Sequence, residues 1–152
     1  MSPRRARIGK VITLREKALD ERVAQLSDTR AAEAKALSAE EIRRRELEEA
    51  SESRLKLAEE AALSASSWIE ANEWLQSRQR QVEQARVEAA KAQLETRKAQ
   101  GAVMTARADL KKVELLSERI QKQEQSEAQV LERRLEDELT SMRFRRSEDR
   151  NK

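Results

Sequence analysis

The 152-residue chain is 40% charged and 2% aromatic, with one Pro, two Gly, no His, no Cys and a formal net charge of +3. So little apolar bulk excludes an ordinary globular core, and without His, Cys or Tyr few groups remain for general-base, nucleophilic or metal-ligand chemistry. Two glycines cannot build a phosphate loop, so the composition argues against an enzyme and implies no cofactor or metal.

The commonest residues, Ala, Glu, Arg, Leu, Gln and Lys, are strong helix formers, and the apolar residues recur periodically, which favours coiled coil over disorder. No apolar run is long enough to span a bilayer, and the N-terminus lacks the apolar core of a secretory signal, so the expected location is the cytoplasm.

In chain order, a first helix is expected from about Ile8 to about Leu63. Ile8, Ile12, Leu19, Val23 and Leu26 form one apolar stripe, and Leu47, Leu55, Ala58 and Ala62 another, while the intervening Ser27 to Glu46 is mainly alanine and charge. Ser64, Ser66 and Ser67 then break the composition, because serine competes for backbone hydrogen bonds and disfavours helix interiors. Ser67 followed by Glu70 fits a capping box, which puts a short turn at about 64–67 and the start of a second helix at Ser67.

The second helix is expected from about 67 to 146. Its heptad runs Trp68, Ala71, Leu75, Arg78, Val82, Ala85, Ala89, Ala92, Thr96, Ala99, Val103, Ala106, Leu110, Val113, Ser117, Ile120, alternating steps of three and four. That is the narrow seam of a coiled coil. A short connection makes the two helices antiparallel, with facing residue numbers summing to roughly 131 for equal rise. Leu26 should then lie near Val103 to Leu110, and Ile12 near Ile120. The fold class expected is all-α: residues 1–152 as a single antiparallel coiled-coil hairpin whose second helix continues as a C-terminal overhang.

Beyond Ile120 a fresh stripe appears at helical spacing: Ala128, Leu131, Leu135, Leu139 and Met142. It has no partner within the expected hairpin, so it reads either as a frayed end or as an amphipathic helix awaiting a groove in another protein. The hairpin also brings two basic segments to one end. Residues 1–20 carry a net +4, including Arg4, Arg5 and Arg7; residues 143–152 carry a net +3, including Arg143, Arg145 and Arg146; residues 33–60 carry a net −3. No aromatic residues interleave with these charges, so specific nucleic-acid recognition is disfavoured.

Both tryptophans sit just after the serine cluster. Trp68 is on the seam and is expected, with Ser67, to close the hairpin by packing against Leu63 and the end of the first helix. Trp74, about 120° away around the helix, falls on the flank as an exposed candidate anchor for another protein.

These residues resemble the FliJ and YscO family of type III secretion export-apparatus proteins, flagellar or injectisome. The resemblance rests on the length, on a two-helix hairpin covering nearly the whole chain, on Trp68-Ile69 followed after four residues by Trp74, and on Leu135-Glu136-Asp137-Glu138 with basic flanks. It implies a central stalk that links a hexameric export ATPase to an export-gate membrane protein, with export chaperones as a further partner class. The implied ATPase contact comprises Arg4, Arg5, Arg7, Leu131, Arg134, Leu135, Leu139, Met142, Arg143, Arg145 and Arg146. The implied gate contact comprises Trp74, Arg78, Gln81 and Ala85, although at the last three positions the flagellar member has Leu, Ala and His. The competing reading is a structural coiled-coil adaptor unrelated to secretion.

Overall fold

A computed structural model describes residues 2–60 and 64–152. It contains two α-helices, α1 (Pro3–Glu59) and α2 (Ala65–Arg150), and no strand among the described residues. The protein is therefore all-α, with two long helices packed against each other.

Both helix starts are capped by serine. The backbone N–H of Arg5 donates to Ser2 Oγ at 3.2 Å, and Pro3 occupies the first helical position, where its missing N–H costs nothing. This Ser-Pro start carries α1 five residues further toward the N-terminus than the expected Ile8. At the second start the N–H of Ser67 donates to Ser64 Oγ at 3.2 Å, and the Trp68 N–H reaches the Ser64 carbonyl. Ser64, not Ser67, is thus the N-cap, and Ser67 instead shares a hydroxyl hydrogen bond with Ser64 at 2.8 Å. The expected Trp68 contact with Leu63, and Ala62 of the expected stripe, lie outside the described residues.

The chain packs as two units, one of Met1–Ala18 with Arg107–Lys152 and one of Leu19–Ala106. In the second, which holds the turn, α1 and α2 run antiparallel. Arg54 Nη1 donates to Asn72 Oδ1, Arg78 Nη1 to Glu46 Oε2, and Thr96 Oγ1 to the Thr29 carbonyl. In the first unit, Arg15 pairs with Asp109 and both Ser2 and Arg5 reach Glu124. Facing residues therefore sum to between 122 and 129, about six below the expected value. The reason is local: α1 stops at Glu59 and α2 starts at Ala65, both earlier than the bounds expected at about Leu63 and Ser67. Ile12 accordingly lies opposite the region of Val113 in place of Ile120, while Leu26 lies opposite the stretch from about Thr96 to Val103, which touches only the near end of the range expected.

All sixteen seam positions of α2 are buried or half-buried, with Leu75, Ala89, Thr96, Val103 and Ile120 the most enclosed. The α1 seam differs from the expected stripes. It follows two rows of seven-residue steps, Ile8 to Leu57 and Ile12 to Arg54, and runs without a break through Thr29, Glu33, Ala36, Glu40, Arg43, Leu47, Ala50 and Arg54. Leu55 and Ala58 face outward, and Val23 is exposed too. Much of the charge on this seam is answered: Arg44 lies 2.6 Å from the buried Glu40, Arg43 reaches Glu46 and Gln81, and Arg54 reaches Asn72. No buried side-chain polar atom among the described residues lacks a partner.

Candidate functional surfaces

The turn-proximal surface is built from two tryptophans, each stacked under an arginine. The Arg54 guanidinium, reaching from α1, sits 5.5 Å from the centroid of Trp68, which is half-buried on the seam. Arg54 also holds Asn72, so one α1 side chain clamps two α2 residues near the turn. Both contacts come from an arginine that the sequence reading did not single out.

Trp74 is 44% exposed, and the Arg78 guanidinium lies 5.4 Å from its ring centroid. Arg78 is itself half-buried. It bonds Glu46 Oε2 at 2.8 Å and Gln81 Oε1 at 3.1 Å, while Arg43 reaches the same two acceptors at 3.0 and 3.5 Å. Of the four residues implied for a gate contact, then, Trp74 presents its ring to solvent, Arg78 and Gln81 form an interhelical polar layer, and Ala85 is half-buried on the seam. Arg78 connects the two roles, since a guanidinium can stack on an aromatic face and donate to a carboxylate from its edge at once.

The opposite character belongs to the C-terminal part of α2. Every residue from Gln125 to Lys152 is exposed, yet Leu131, Leu135, Leu139 and Met142 are 51 to 60% exposed on one stripe. A helix face of that kind has no partner among the described residues. Arg134, Arg143, Arg145 and Arg146 are exposed beside it, and Phe144 lies on nearly the opposite face. The stripe starts just past Glu124, the last α2 residue tied to α1, through Ser2 and Arg5. Arg4, Arg5 and Arg7 are all exposed on the first turns of α1, in the same packing unit as the overhang. Sequence spacing located the overhang stripe; it did not reveal Glu124 as its root, because that required the register of α1 on α2.

No helix is long and apolar enough to cross a membrane among the described residues. Among its exposed apolar features are an aromatic flank near the turn and an amphipathic helical overhang, which together define a coiled-coil protein whose surface suits docking to other proteins. The family model for the flagellar FliJ protein matches residues 4–149. The chain belongs to that family and is a component of the flagellar protein-export apparatus. Comparisons with curated proteins and with solved structures give no match.

Proposed function

We propose that this chain is the central stalk of the export apparatus, linking a hexameric export ATPase to the export-gate membrane protein on the cytoplasmic side without catalysing a reaction itself. The observation that carries this reading is the overhang: a helix from Gln125 to Arg150, wholly exposed, with four large apolar side chains in line.

Covering each of these half-exposed side chains would contribute on the order of 1 kcal/mol, about half of a full Leu burial, before ordering costs. Together they suffice to anchor the helix in a pore or groove. Arg134, Arg143, Arg145 and Arg146, with Arg4, Arg5 and Arg7, supply steering toward an acidic wall. At the turn end, Trp74 is the gate anchor and Arg78 sets the orientation of its ring, while Gln81 and Ala85 support the helix from within.

Truncation after Ser126 tests the stalk reading. The remaining chain retains Glu124 and the whole seam, so its thermal unfolding should match that of the full chain, while binding to and stimulation of the ATPase disappear. A folded truncated chain that binds the hexamer with unchanged affinity refutes the assignment.

A further inference from the structure

The solvent face of α2 carries a second stripe that the hairpin does not use. Val87, Ala90, Leu94, Gly101 and Met104 recur at steps of three, four and seven on the side turned away from the seam. Leu94 is 53% and Met104 71% exposed. Gly101 lies in mid-helix, where glycine weakens helical structure. A Cβ placed there meets nothing within 4 Å among the described residues, so packing inside the chain does not require it. A small residue on an exposed apolar stripe does allow the close approach of another helix.

Charge says which helix. On the outward positions between Val87 and Met104 every charged residue is basic: Lys91, Arg97 and Lys98. Glu88 and Glu95 lie on the flank, held to Lys91 and Lys98 by exposed ion pairs that contribute little. The first part of the overhang is the complement. Its stripe Ala128, Leu131, Leu135, Leu139 is bordered by Glu127, Glu132, Glu136 and Glu138, and residues 125–139 carry five acidic and two basic side chains.

We propose that the overhang of one copy docks, antiparallel, on the outer face of α2 of a second copy. One register serves four apolar pairs, with Met104 beside Gln125 and Leu131 beside Lys98 at its edges. Val87 meets Met142, Ala90 meets Leu139, Leu94 meets Leu135 and Gly101 meets Ala128, while Lys91 and Arg97 fall beside Glu138 and Glu132. The single like-charge opposition in this register is Arg86 with Arg143. The stripes match in reach, since Val87 to Met104 and Ala128 to Met142 each span roughly 20 to 25 Å at the helical rise. The inference rests on these two faces and not on the stalk reading. It adds to that reading the consequence that a copy engaged in self-docking has its overhang stripe covered.

Sedimentation velocity of the full chain over a concentration series, at low and high salt, tests the proposal. A concentration-dependent species larger than the monomer, weakened by salt, is expected. Leu94→Glu with Met104→Glu on the outer face, and Leu135→Glu on the overhang, should each return the chain to monomer with unchanged helix content. The reversed pair Arg97→Glu with Glu132→Arg should associate more strongly than Arg97→Glu alone. A monomer throughout overturns the proposal. So does association that survives the outer-face substitutions and is lost only with Leu135→Glu, which would mean that overhangs pair with each other.

Discussion

Replacing Arg78 with alanine probes the one place where folding and the exposed aromatic surface share a side chain. Arg78 is 26% exposed; it bridges to Glu46 at 2.8 Å, bonds Gln81 at 3.1 Å and covers Trp74. A partly solvated ion pair contributes about 0.5 to 1 kcal/mol, the stacked guanidinium a further ~0.5 to 1, and the hydrogen bond to Gln81 a similar amount at most. Glu46 is not orphaned by the change, because Arg43 stays 3.0 Å away, so the larger cost of an unpaired half-buried carboxylate does not arise. The expected loss is ~1.5 to 2 kcal/mol, or roughly 3 to 8 °C in Tm for a chain of this size. Thermal unfolding followed by far-UV circular dichroism reads it, and a cycle with Glu46→Ala should give a coupling of ~0.5 to 1 kcal/mol. Trp74 emission should shift to the red and become easier to quench. An unchanged Tm with no coupling to Glu46 would refute the bridging role.

Three further outcomes follow from burial. Trp68→Ala should destabilise by ~2 kcal/mol, since it empties a half-buried seam position under Arg54, whereas Trp74→Ala should cost under ~1 and show its effect in gate binding; equal losses in urea unfolding would place both rings in the core. Gly101→Ala should stabilise the dilute protein by ~0.5 to 1 kcal/mol, because the position is helical and open, and a fall in Tm would show that the site is crowded. In hydrogen exchange, amides from about 127 to 150 should exchange fastest within α2, while those around Leu75 and Val103 are most protected, as tertiary cover rather than helicity sets the opening free energy; uniform protection along α2 would contradict the exposed overhang.

The sequence by itself determined the helical class, the seam of α2 from Trp68 to Ile120 and the stripe of the overhang. These are properties of a single helix, readable wherever apolar residues recur at helical spacing. It could not determine which face of α1 meets that seam between Ser27 and Glu46, because Thr29, Glu33, Glu40 and Arg43 carry no apolar period. Only the paired structure shows them as seam residues, with Thr29, Glu40 and Arg43 each answered by a neighbour on its own or the facing helix. The register was equally a tertiary decision. A serine cluster marks a turn to within a few residues, but the cap at Ser64 and the end of α1 at Glu59 moved every facing pair by about six. In an antiparallel pair the turn is shared by every contact that follows, so a small local difference in the cap reassigns partners along the whole length. That shift is why Arg54 and Glu46, unremarked in the sequence, became the residues that hold Trp68 and Arg78.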